Sequence, residues 1–104
     1  MLEHALRVIH QARPIVDLVE RRDRDLANQI RRAMSSVGLN LAEAFGTAGG
    51  NARLRFQTAR GSLYEAQTGM RIAVAWGFIA EEEVTPVEEA LNNLAGRIFG
   101  LARR

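Results

Sequence analysis

The chain has 104 residues, 47% of them hydrophobic, with no cysteine and a formal net charge of +2. That length supports one hydrophobic core and a single domain over residues 1–104, and the missing cysteine excludes disulfides, thiolate metal sites and a cysteine nucleophile. The longest apolar run, Ile72 to Ala80, is too short to span a bilayer, and Met1-Leu2-Glu3-His4 lacks the basic leader of a secretory signal, so a cytoplasmic setting without membrane contact is expected.

Leu2, Ala5, Ile9, Ala12, Val16 and Val19 keep a seven-residue apolar repeat across Pro14, which predicts one helix running through the proline. The polar segment Glu20 to Asp25 then closes that helix, with Asp23 or Asp25 available to cap the next. A second helix is predicted from Leu26 to about Phe45, its stripe formed by Leu26, Ile30, Ala33, Val37, Asn40 and Ala44. Asn40 is thus expected at a core position. After a turn around Gly46, Thr47, Ala48, Gly49 and Gly50, a third helix runs from about Asn51 to Trp76. Its core stripe is Phe56, Ala59, Leu63, Ala66, Met70 and Ala73, beside a second row of Arg55, Ser62, Gly69 and Trp76.

Gly77 is placed to end the third helix, and Glu81 to Glu83 form an acidic turn. Thr85, Pro86 and Glu88 have the spacing of a cap, a first-turn proline and a capping-box acid, which predicts that the last helix starts there. Val87, Leu91, Leu94, Ile98 and Leu101 supply its core face. Four helices joined by short turns give an all-α, up-down-up-down four-helix bundle. Apolar and small residues off the main stripes, namely Gly38, Leu39, Leu54, Gly61, Ile72, Val74 and Ala75, predict a second buried side and hence a homo-oligomer interface.

Catalytic chemistry finds little support. His4 and His10 are the only histidines, no Glu-x-x-His pair is present, and Gly46 to Gly50 lacks the lysine and preceding strand of a phosphate loop. No metal, no cofactor and no enzyme activity are therefore expected. Ser35, Ser36, Asn40, Glu43, Ser62 and Glu65 read as a polar seam that sets helix register, in preference to a catalytic group.

All 14 basic residues are arginine. Arg21, Arg22 and Arg24 cluster at the first junction, Arg31 and Arg32 follow on the second helix, and Arg53, Arg55 and Arg60 line the start of the third. Such forks bind phosphates by bidentate hydrogen bonds and counterion release; the competing reading is a solvated surface paired with Glu20, Asp23 and Asp25. Few aromatic residues accompany these arginines, so base stacking is not indicated.

The run Gln29 to Glu43, QIRRAMSSVGLNLAE, resembles a helix of the 23S rRNA intervening-sequence protein family, whose pattern there ends in Asn-Ile-Ala-Glu-Gly. Arg60 to Glu65, RGSLYE, resembles that family's Gly-Ser-x-x-Glu signature. Ala44 stands where the family usually has glycine. The resemblance implies a four-helix bundle assembling as a barrel-like homopentamer. The same family includes the accessory variability protein of diversity-generating retroelements, which implies RNA or DNA binding and association with a reverse transcriptase. Two functions follow as expectations: a non-enzymatic nucleic-acid-binding accessory protein, or an oligomeric scaffold that binds only protein.

Overall fold

The computed structural model describes residues 1–46 and 51–102. Four helices make up the fold: α1 (Leu2–Glu20), α2 (Arg24–Gly46), α3 (Ala52–Ala75) and α4 (Glu81–Ala102). The predicted turn residues Thr47, Ala48, Gly49 and Gly50 lie outside the described residues. Each helix packs antiparallel on the next, and α1 packs on α4 to close the ring, which is the expected up-down-up-down bundle. The molecule measures 44 × 22 × 20 Å.

Local chemistry explains most boundaries. Asp23 Oδ1 accepts the Leu26 N–H at 2.9 Å, so Asp23 caps α2. α1 continues through Pro14, which is exposed. At the end of α3, Gly77 adopts φ +79°, with its N–H on Val74 O and the Phe78 N–H on Ala73 O, both at 2.9 Å. This is a Schellman reversal, open to glycine because a side chain strains that φ.

The start of α4 differs from the expectation. The helix begins at Glu81, with Thr85 and Pro86 inside it. Glu83 Oε1 accepts the Ala80 N–H at 2.8 Å and the Val84 N–H already reaches Ala80 O at 3.2 Å, so the ladder starts before threonine is reached. Three glutamates in the first turn also favour the positive end of the helix dipole. Val84, fully buried, extends the α4 stripe one turn earlier, and that apolar contact outweighs the single backbone bond Pro86 removes.

The core draws on all four helices. All six predicted α3 stripe residues are buried. In α2 the buried arc is wider than one stripe, adding Ala27, Met34, Gly38 and Leu41, because this helix faces both α1 and α3. Leu41, fully buried, takes the place expected of Asn40.

The α1–α4 contact includes a titratable pair. Arg97 Nη1 lies 2.7 Å from His4 Nδ1. Arginine has only donors, so the ring nitrogen accepts and the imidazole is neutral. Partial burial first, then Arg97, Arg7 and the N-terminal amine, hold the His4 pKa below its ordinary 6.5. The folded chain therefore binds fewer protons at His4 than the unfolded chain. The resulting stability is complete above about pH 6.5 and is lost as pH falls through the folded value. Urea midpoints measured across that window should show a modest decline toward acid, and His4→Gln should remove this part of it.

Candidate nucleic-acid interface

The arginines divide between two ends of the bundle. Arg21 caps α1, Arg22 follows it, and Arg24 opens α2; all three are exposed. The Arg22 and Asp23 amides both bond Val19 O, at 3.0 and 2.8 Å, which makes the junction a tight reversal. Arg53 and Arg55 lie at the far end, about 33 Å away on a rise of ~1.5 Å for each residue of α2.

Partners decide which of these cations are free. Arg31 binds Asp17 Oδ1 at 3.1 Å and the Glu20 carboxylate, tying α2 to α1. The hydrogen bond to Glu20 is the main cause raising its pKa. Arg31 is thus committed within the bundle, whereas its neighbour Arg32 is exposed and among the described residues makes only a long 3.4 Å bond to Asn28 O of its own helix. Arg53 Nε donates to Ala102 O at 3.1 Å, satisfying a carbonyl at the end of α4. Arg55 Nε pairs with Glu43 Oε2 at 2.9 Å, and Arg60 lies over the Phe99 ring at 4.5 Å. Among the described residues, Arg21, Arg22, Arg24 and Arg32 face outward on one half of the bundle with no carboxylate partner. Arg7 and Arg13 of α1 are also exposed without an ion pair, and Arg53, Arg60 and Arg97 are exposed but engage a carbonyl, a ring and His4.

The polar seam is assembled from most of its predicted members. Ser36 and Ser62 share a 2.8 Å hydrogen bond between α2 and α3. Asn40 Nδ2 donates to Ser36 O at 2.9 Å and to Ser36 Oγ at 3.1 Å, while Arg55 Nη1 approaches Asn40 Oδ1 at 3.5 Å. Asn40 is half-buried at the rim, so the large cost of an amide in the core does not arise. Glu65 borders the same groove beside Ser62 and Arg32, with no side-chain hydrogen bond among the described residues. Ser35 does not join the seam. It is exposed on the ridge of α2, next to the groove between α1 and α2.

The predicted subunit face also divides. Gly38 is buried in the bundle, its missing Cβ 3.9 Å from Ile9 Cδ1 of α1, and Val74 packs against the core. Both belong to the bundle's own interior because α2 and α3 are more deeply wrapped than a single-stripe reading allows. Leu39, Leu54, Gly61, Ile72 and Ala75 do face outward, with Leu39 67% and Leu54 58% exposed.

In sequence, Trp76 is placed only in a helix row, and neither it nor Phe78 is placed beside the arginines. Trp76 and Phe78 lie at the same end as Arg22, the Arg22 Cζ being 5.4 Å from the Phe78 ring centroid. The aromatics are more than fifty residues away in sequence, which hid them. The available signal was topological: in an up-down-up-down bundle the first and third connections share one end.

Among the described residues no group of three or more metal-ligating side chains converges, and no helix is long and apolar enough to cross a membrane. A family model described as 23S rRNA-intervening sequence protein matches residues 3–100. No curated protein and no solved structure matches the chain.

Proposed function

This chain belongs to the 23S rRNA-intervening sequence protein family, matched over residues 3–100, and from that membership we propose a non-enzymatic, oligomeric accessory protein that binds nucleic acid. The arrangement of Arg21, Arg22, Arg24 and Arg32 on one half of the bundle, with no carboxylate bonded to any of them among the described residues, supports this reading most directly. Four outward forks suit phosphates, and their contacts discriminate little between sequences. A reverse transcriptase of a diversity-generating retroelement is the partner that fits such an accessory role, in the cytoplasm.

Oligomerisation supplies the field that a net charge of +2 does not. Closed symmetry would repeat the arginine cluster around a ring, and a pentamer is the arrangement the family resemblance favours. Leu39 and Leu54 give this assembly an apolar surface to bury. Light scattering of the full chain at micromolar concentration should report several subunits; a stable monomer would remove the assembly from the proposal.

The same exposed leucines favour the second reading, a scaffold that binds only protein. Salt separates the two. Binding to a labelled single strand should weaken steeply with ionic strength, each phosphate contact adding about 0.7 to the logarithmic slope. No binding at low salt would leave the scaffold.

A further inference from the structure

The end of the bundle that carries Arg21, Arg22 and Arg24 also carries the chain's only tryptophan. Trp76 caps α3 and is 70% exposed, an unusual position for the largest side chain of a small domain. It is not loosely held. Its amide bonds Ile72 O at 3.0 Å, and the left-handed Gly77 turns the chain so that Phe78 comes back beside it. The two rings lie 6.4 Å apart at 17°, nearly parallel, and Arg22 lies over Phe78. Backbone geometry therefore fixes an aromatic pair next to three arginines.

The charges around this pair favour an anionic ligand. Of the acids at this end, Glu20 is bonded by Arg31, Asp23 accepts the Leu26 amide, Glu81 is bonded by Arg71 and Glu83 accepts the Ala80 amide, leaving Asp25 and Glu82 against the three arginines. The opposite end has an aromatic pair too, Phe45 with Phe56, but there Arg55 is paired with Glu43 and Arg53 is bonded to Ala102 O. The Trp76 end combines the most exposed of these rings with guanidinium groups that, among the described residues, have no carboxylate, carbonyl or ring partner apart from Arg22 over Phe78 itself.

We propose that Trp76, backed by Phe78, is a stacking platform for an unpaired base of single-stranded nucleic acid, with Arg21, Arg22 and Arg24 on the flanking phosphates. This rests on the nucleic-acid reading above and narrows it. A base in a duplex is already stacked on its neighbours and offers no free face, so an exposed indole selects unpaired strands. Stacking tolerates any base, in keeping with arginine contacts that do not read sequence.

A single tryptophan makes the site report on itself. The full chain is titrated with oligothymidine, oligouridine, a duplex of the same length and an abasic strand, reading Trp76 emission alongside anisotropy of the labelled strand. Both oligothymidine and oligouridine should quench the emission, the duplex and the abasic strand far less. A stronger effect from either single strand identifies DNA or RNA as the preferred source of the base. Trp76→Ala should weaken single-strand binding about tenfold, Trp76→Phe should retain most of it, and neither should change the salt slope, since no phosphate contact is lost. Single-strand binding that leaves Trp76 emission unchanged and ignores Trp76→Ala overturns the platform but keeps the nucleic-acid reading. Equal quenching by duplex, or emission that tracks protein concentration and not strand, also overturns the platform, the latter by placing the indole between subunits. Absence of binding by every strand at low salt overturns both.

Discussion

Replacing Arg21, Arg22 and Arg24 together with glutamine is expected to weaken single-strand binding about a hundredfold at about 0.1 M salt. Three lost contacts remove about 2 from the logarithmic salt slope, and at that salt each contact contributes about fivefold through counterion release. Structure should survive, because all three side chains are exposed and, among the described residues, none makes an ion pair, Arg22 having only its contact over the Phe78 ring. The comparison variant replaces Arg53, Arg55 and Arg60, whose guanidinium groups already serve Ala102 O, Glu43 and the Phe99 ring. That set should leave the slope nearly unchanged. Arg31→Gln should likewise spare binding, since Arg31 is held by Asp17 and Glu20. Anisotropy titrations at several salt concentrations decide the matter. A slope that flattens in the comparison variant and not in the first would move the interface to the other end of the bundle.

Gly69→Ala is expected to destabilise the fold by about 1–3 kcal/mol, the usual cost of forcing a methyl into a filled core. A Cβ at Gly69 would stand 2.7 Å from Ile30 Cγ1 and 3.4 Å from Ile30 Cδ1. Ile30 is itself 1% exposed, so it has little room to withdraw. For a domain of this size, each kcal/mol lowers Tm by roughly 4–8 °C. Because the conflict is between two side chains, Ile30→Ala should relieve it. The double variant should then be more stable than the two single losses predict when summed, a coupling that thermal or urea denaturation measures directly. Gly61→Ala is the control on the same helix. Nothing lies within 4 Å of its Cβ position, so the better helix propensity of alanine should add about 0.5–1 kcal/mol. A loss at Gly61 equal to that at Gly69 would remove the close-approach explanation.

Gly69 also shows how far one helix can be read from its own residues. The α3 row of Arg55, Ser62, Gly69 and Trp76 is visible as a seven-residue spacing, and its first three members meet α2, Arg55 at Glu43, Ser62 at Ser36 and Gly69 at Ile30, while Trp76 is exposed at the helix end beside Phe78. The six-residue core stripe of α3 is equally legible, and the cap of α2 is narrowed to Asp23 or Asp25, of which the structure uses Asp23. These features depend on 3.6 residues per turn and on hydrogen bonds within a few positions, so sequence spacing carries them intact. Asn40 went astray by one position because a helix between two neighbours buries a broad arc, and a stripe drawn for one neighbour misplaces its edge.

The order and kind of the helices, most of their apolar rows, the pairing of Ser36 with Ser62 and the supply of arginines were thus legible in the sequence alone. Tertiary structure decided which arginines are engaged, that Gly38 and Val74 belong to the interior, and that Trp76 and Phe78 stand beside Arg22. It also settled the start of α4, where burial of Val84 and the Glu83 contact to Ala80 prevailed over a local signal at Thr85. A helix repeats its own geometry and so records its faces in spacing. An ion pair or a ring contact between surface side chains depends on the axial offset and rotation of two helices. Those are set by how all four apolar faces fit together, and no single stretch of the chain contains them.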